Sequence, residues 1–221
     1  TFKSAGGIES ISNLLRSDYN EQDAYTFPEK KITAKWFSPK DSPFRPRIFV
    51  SQLEDDQLTG ASRRILERNI PDLYLNPVLF FDQISEQFPT DTLVNYVDYE
   101  NLRTESEYAA WTLINGPKLN HVAIAPQLFP GRSSLFSLHT FLEKTGFRIC
   151  NEGGAIKISE DGLLSQSSLV SDESVYRFLG EQHPISKILP GSFVEFIDRH
   201  KEGFEAGNAF HIFESTSHKK D

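Results

Sequence analysis

The stretch Tyr108-Ala-Ala-Trp-Thr-Leu-Ile-Asn-Gly-Pro-Lys-Leu-Asn-His121-Val-Ala-Ile-Ala125 decides how this chain is read. Its first part reads as a helix over 106–115, with Tyr108, Trp111 and Leu113 available for burial. Gly116 and Pro117 stop that helix, because proline lacks the backbone donor and clashes with the preceding turn. From Leu119 to Ala125 apolar residues alternate with other types, the period of a strand. His121 therefore stands at the mouth of a strand, where the sheet fixes its direction. Such an imidazole suits a metal ligand. It equally suits a buried histidine bonded to a carbonyl, the commoner use.

Working outward toward the C-terminus, the serines at 133–134 can cap a helix over 133–145 that carries Leu135, Leu138, Phe141 and Leu142 and stops at Gly146. Strands are expected over 147–151, 155–159, 163–170 and 192–198, with a fifth over 175–179 and a turn over 160–162. The tail 199–221 is polar, and Phe204, Phe210 and Phe213 are the residues that could dock it. Toward the N-terminus, 7–16 reads as a helix with Ile8, Ile11, Leu14 and Leu15 on one face. Residues 18–23 read as a polar turn. Strands follow over 25–27, 31–37 and 47–53, with a loop over 38–43, and then a helix over 55–69. The region 71–107 has mixed patterning; 73–88 is too apolar for a linker and reads as helices packing on the core.

The order helix, strands, Phe49-Val50-Ser51 in the first part is echoed by strand, helix, strands, Phe193-Val194-Glu195 in the second. The echo implies an α+β protein of two modules whose sheets face each other. The boundaries expected are 1–70 for module one, 71–117 for a helical insertion, 118–199 for module two and 200–221 for a docking tail.

At 221 residues the chain can bury a substantial core. A net charge of −8 repels phosphate backbones, so nucleic acid is not an expected partner. No apolar run approaches the roughly 20 residues of a membrane helix, and residues 1–7 lack the apolar stretch of a signal peptide. One cysteine, Cys150, excludes an internal disulfide and fits a reducing compartment, read here as the cytoplasm; in a strand it reads as a packed thiol. The chain has 18 phenylalanines and no methionine, so further sequence is expected before Thr1.

Glu195 interrupts a strand otherwise built for burial. If that strand is central, the carboxylate must meet a cation, a metal or strong donors, since an unpaired buried charge costs several kcal/mol. If the strand is an edge, Glu195 faces water. Ser51, its counterpart in module one, cannot ligate strongly. Were a strand before residue 7 to supply a second histidine, the set would be two histidines and one carboxylate, which leaves one face of Fe(II) open. Of the other histidines, His139 reads as lying at the edge of its helix, His183 in a loop, and His200, His211 and His218 in the tail.

Several stretches together resemble the 2-oxoadipate dioxygenase/decarboxylase family of vicinal-oxygen-chelate proteins. They are Ala34-Lys-Trp-Phe-Ser-Pro39, Pro46-Arg-Ile-Phe-Val-Ser51, Glu105-Ser-Glu-Tyr-Ala-Ala-Trp-Thr-Leu113 with Asn120-His121, Glu152-Gly-Gly154, Asp161-Gly-Leu-Leu-Ser-Gln-Ser-Ser168, and Phe204-Glu-Ala-Gly-Asn208 with Ile212-Phe-Glu-Ser-Thr216. The resemblance implies tandem βαβββ modules forming a cupped mixed sheet, non-haem Fe(II), and conversion of 2-oxoadipate and O2 to 2-hydroxyglutarate and CO2 in lysine catabolism. His121 and Glu195 match two of the family's three ligands. The third, a histidine followed by a carboxylate-gripping arginine, falls upstream of Thr1. Arg47 alternates with Phe49 and Ser51 on one strand face and is a candidate anchor for the far carboxylate of the substrate; a surface role is the commoner use of such an arginine. Gln166, Ser167 and Ser168 are candidate donors to substrate oxygens; cross-strand pairing on a polar face is the alternative. Two other readings stand beside this one: a glyoxalase-like isomerase or hydrolase using a redox-inert metal, and a non-catalytic binding module.

Overall fold

The computed structural model describes residues 1–42, 44–70, 91–116, 118–131, 134–159 and 162–199. It divides into two compact units. The first comprises Thr1–Lys118 with Tyr176–Lys187, the second Leu119–Val175 with Ile188–Asp221. The helices expected over 73–88 and the tail with its phenylalanines lie outside the described residues, as does most of the turn over 160–162. No described helix is long and apolar enough to cross a membrane.

In the first unit, helix α1 (Gly7–Leu15) lays Ile8, Ile11 and Leu15 against Tyr19, Phe37 and Val50 of a three-stranded antiparallel sheet. Its strands are β1 (Tyr19–Phe27), β2 (Ile32–Pro39) and β3 (Ile48–Leu53), in that spatial order. Residues 20–23, read from sequence as a turn, belong to β1 and are exposed. An edge strand with water on both sides carries no apolar alternation, so the sequence pattern missed it. At the other edge Phe2 bridges Leu53 in parallel, and the Leu53 amide donates to the Thr1 carbonyl at 2.9 Å.

Helix α2 (Gly60–Asn69) is capped by the Thr59 hydroxyl, which accepts from the Ser62 amide. Then come β4 (Asp91–Asn95), α3 (Tyr96–Glu105) and α4 (Glu107–Asn115), the last as expected from sequence with Ser106 as its cap. β4 joins β8 (Glu173–Leu179) and β9 (Ile185–Pro190) in a second sheet, order β4-β8-β9. Phe178, 1% exposed, fills the space beneath Tyr96 and Tyr99, with ring centroids 5.3 and 4.9 Å away.

Glu105 staples α3 to the start of α2. It accepts from the Thr59 amide at 3.0 Å, the Thr59 hydroxyl at 2.7 Å and the Lys31 ammonium at 2.9 Å. Burial alone would raise its pKa, but the hydroxyls of Ser62 and Thr59 and the Lys31 charge hold it at about 2. A depressed carboxylate contributes stability above its unfolded pKa and loses it as pH falls through the folded value. Glu105→Ala is therefore expected to cost about 1–3 kcal/mol at pH 7, with the gap from the parent narrowing as the pH falls from about 4.5 toward 2. Urea unfolding at several pH values measures it; a gap independent of pH would remove the carboxylate from the explanation.

The second unit holds a four-stranded mixed sheet, order β5-β10-β7-β6. Its strands are β5 (His121–Ile124), β6 (Lys157–Ile158), β7 (Leu164–Ser168) and β10 (Phe193–Arg199). β5 runs parallel to β10; β10–β7 and β7–β6 are antiparallel. Helix α5 (Leu135–Lys144) covers one face, where Leu135, Leu138 and Leu142 meet Phe196 and Ile149, with Ile124, Val194 and Leu169 alongside. The strand expected over 147–151 reduces to a single bridge, Ile149 to Leu169, and the one over 155–159 to β6. From Ile149 to Lys157 is eight steps, whereas their partners Leu169 and Gln166 are three apart, so five residues bulge out. Gly153 and Gly154, with φ of 70° and 103°, make that excursion possible.

The two units thus repeat one plan: a first strand, reduced in the first unit to the bridge of Phe2 to Leu53, a helix, two antiparallel strands, and a last strand that lies between the second of them and the first, parallel to the first. The α+β class and the tandem βαβββ order expected from sequence are what the chain adopts.

Candidate functional site

The register of β5 against β10 builds the site. Phe193 pairs with His121 and Glu195 with Ala123, so His121, Phe193 and Glu195 share the sheet face opposite α5. β10 is a central strand, not an edge, and Glu195 is 3% exposed. The His121 Nε2 lies 3.6 Å from the Glu195 Oε2. On its other side the imidazole Nδ1 lies 2.9 Å from the Asn120 side-chain oxygen. With that oxygen accepting, Nδ1 carries the proton and Nε2 offers its lone pair toward Glu195. The ring also stacks on Phe193, centroids 4.9 Å apart and planes within 20°. Strand direction, a hydrogen bond and a stacked ring together fix one orientation.

Burial pushes the Glu195 carboxyl up to about 7, and the charges of Arg199 and Lys157 pull it only partly back. Burial also holds His121 below the usual imidazole range. A contact of 3.6 Å between a neutral imidazole and a carboxyl is too long for a good hydrogen bond. A cation held by both side chains would fill that gap. It would supply the charge that Glu195 lacks and use the lone pair that Asn120 leaves on Nε2. A nitrogen and a carboxylate oxygen suit Fe(II), Mn(II) or Zn(II). The residues present therefore fit a divalent metal. Among the described residues no third histidine, cysteine or acid joins them.

Gln166 and Ser168 of β7 lie on the same face, Ser168 opposite Glu195 and Gln166 opposite Ile197. Ser167 does not. It pairs with Phe196 on the α5 side, where its hydroxyl lies 2.7 Å from the Nε2 of buried His139. Three successive strand residues cannot share a face, so the three donors grouped from sequence separate into two and one. His139, expected at a helix edge, is instead buried because Ser167 gives it a partner. Arg47 belongs to the first unit, where its guanidinium sits 5.3 Å from the Trp36 ring centroid, in cation–π range. Cys150 is buried, as a packed thiol should be. His183 lies between β8 and β9, and His200, His211 and His218 fall outside the described residues.

The sequence reading gave no role to Asn120 or Phe193. Phe193 alternates with Glu195 along one strand, a signal that could have placed it beside the site. Asn120 carried only its adjacency to His121. If His121 and Glu195 hold a divalent metal, Asn120→Ala is expected to weaken its binding about 10–100-fold, the usual effect of removing a group that orients a ligand. Anaerobic competition against a chromophoric chelator measures this; unchanged affinity would leave Asn120 a bystander.

The profile of the 2-oxoadipate dioxygenase/decarboxylase family matches residues 78–200. The chain is 35% identical to the chloroplastic/amyloplastic 2-oxoadipate dioxygenase/decarboxylase of Oryza sativa subsp. japonica, over 96% of this chain and 65% of the relative. It is 33% identical to the chloroplastic protein of the same description from Arabidopsis thaliana, over 95% of this chain and 64% of the relative. The chain thus spans just under two thirds of these relatives' lengths. A crystal structure of hydroxyglutarate synthase from Oryza sativa, in complex with 2-oxoadipate, superposes with a TM-score of 0.80 at 33% identity, covering 96% of this chain and 76% of that one.

Proposed function

We propose that this chain, which belongs to the 2-oxoadipate dioxygenase/decarboxylase family, converts 2-oxoadipate and O2 to 2-hydroxyglutarate and CO2 with Fe(II) as its metal. The observation that carries the reading is the approach of His121 Nε2 and Glu195 Oε2 to 3.6 Å on a face where the carboxylate is buried. The relatives' names and the complex of one of them with 2-oxoadipate supply the substrate. The equation balances: six carbons become five plus CO2, with both oxygen atoms of O2 taken up in the products.

His121 and Glu195 would be the protein ligands in this unit. The register of the first unit supports the family's placement of the third. Phe49 corresponds to Phe193, whose partner is His121. Phe49 lies four residues before Leu53, whose parallel partner is Phe2. Four residues before Phe2 falls upstream of Thr1. Fe(II), when bound, would supply a redox-active chelation point for the 2-oxo acid and O2, while the four electrons that reduce O2 come from the acid itself. The chain's own residues do the rest. Neutral His121 and the Glu195 carboxylate hold the cation, Asn120 keeps the imidazole proton on Nδ1, and Ser168 and Gln166 offer hydrogen bonds to substrate oxygens. The single buried cysteine supports a reducing compartment; the composition suggests the cytoplasm, while both plant relatives carry chloroplast names. Lysine breakdown is the pathway proposed.

The test is the full chain loaded anaerobically with Fe(II) and then given 2-oxoadipate and O2. One O2 consumed and one CO2 released per 2-hydroxyglutarate is expected. Turnover without O2 on a Zn(II)-loaded sample would move the reading to an isomerase or hydrolase. Full-length protein that retains no metal would move it to a binding module.

A further inference from the structure

The face bearing His121 and Glu195 continues across β7 to β6 with a change of charge. Lys157 pairs with Gln166, Gln166 pairs with Ile197, and Ile197 is two residues from Glu195, so all four side chains share one face. The acidic end of this face is at β10 and a cation stands at β6. We infer that Lys157, together with Gln166, recognises the second carboxylate of a dicarboxylic 2-oxo acid whose other end lies at His121 and Glu195. This rests on the proposed function and assigns the anchor to Lys157 in place of Arg47.

The spacing suits that class of ligand. Two strand separations of about 4.8 Å and two residues of about 3.3 Å each place the Lys157 and Glu195 Cα atoms about 12 Å apart. A six-carbon diacid, with carbon–carbon bonds of about 1.5 Å, spans about 6–7 Å between its end carbons. The two side chains, reaching inward, cover the rest. Gln166 adds an independent sign of a ligand. It is 6% exposed, and its amide oxygen is buried with no hydrogen-bond partner. An orphaned buried polar atom is destabilising unless a ligand satisfies it. A half-turn of the amide puts its NH2 in the same place, where a carboxylate oxygen would accept from it.

The experiment is anaerobic calorimetry on the metal-loaded full chain with two ligands, 2-oxoadipate and the monocarboxylic 2-oxohexanoate. The parent is expected to bind the diacid at least about 10-fold more tightly, the size of one charge-assisted hydrogen bond. Lys157→Met keeps the apolar stem and should lose that preference while binding the monoacid within about twofold of the parent. Lys157→Arg should keep the preference, which separates a charge effect from a folding effect. Discrimination that survives in folded Lys157→Met, or that is lost in Arg47→Met instead, would overturn the assignment while leaving the activity standing. A parent that binds neither acid would overturn the proposed function, and this inference with it.

Discussion

Glu195→Gln is expected to bind Fe(II) more than about 100-fold more weakly than the parent, and yet to be the more stable protein at pH 8 once metal is removed. The first effect follows from taking a charged ligand out of the proposed set, a larger loss than the roughly 10–100-fold seen when a supporting group is removed. The second follows from the cost of the buried charge. The carboxyl is pushed from 4.5 up to about 7 by burial. A carboxyl raised in the folded state holds its proton more tightly there. Its favourable contribution is present below the unfolded value, is lost as pH rises from about 4.5 through about 7, and stays lost above. A shift of that size is worth about 3 kcal/mol. Glutamine keeps the shape and carries no charge, so the variant escapes that loss. Urea unfolding of chelator-treated proteins at pH 5 and pH 8 reads it out. A variant less stable than the parent at pH 8 would mean that the carboxylate is already compensated without metal, and would remove the main reason to place a cation beside it.

Phe196→Ala is expected to cost about 3–5 kcal/mol, the range for deleting a buried aromatic ring. Phe196 is 2% exposed and meets Leu135, Leu138, Leu142 and Ile149 beneath α5, with the Phe129 ring 6.2 Å away. It is also the immediate neighbour of Glu195, with its side chain on the opposite face. The contacts that hold α5 to the sheet therefore hold the strand that presents the carboxylate. The variant should unfold at lower denaturant with an unchanged m-value. Any folded fraction should also bind metal more weakly, because β10 loses the packing that sets its position. Fully retained stability would show that the α5 layer does not depend on this ring.

The site was legible in part because strands announce direction. The alternation around His121 gave its strand, and one acid inside Phe193-Val194-Glu195-Phe196-Ile197 stood out against an otherwise apolar run. Their proximity was not legible, because it depends on parallel pairing between residues 72 positions apart. What failed did so for local reasons. Residues 20–23 carry no apolar period because β1 is an edge with exposed side chains. β4 and α3 were missed within a region of mixed pattern; among the α3 residues only Tyr99 and Leu102 are buried. The excursion at Gly153 and Gly154 shortened two expected strands. Ser167 was misassigned through neglect of the two-residue period, which the sequence itself contains. His139 was read as peripheral because its partner comes from another element.

The most direct test is an anomalous difference map at the iron edge, from crystals of the full chain loaded with Fe(II) without oxygen. A single peak about 2.0–2.2 Å from both the His121 Nε2 and a Glu195 carboxylate oxygen is the result expected. Iron bound elsewhere, or touching one of these two side chains and not the other, would contradict the shared site on which the proposed chemistry stands.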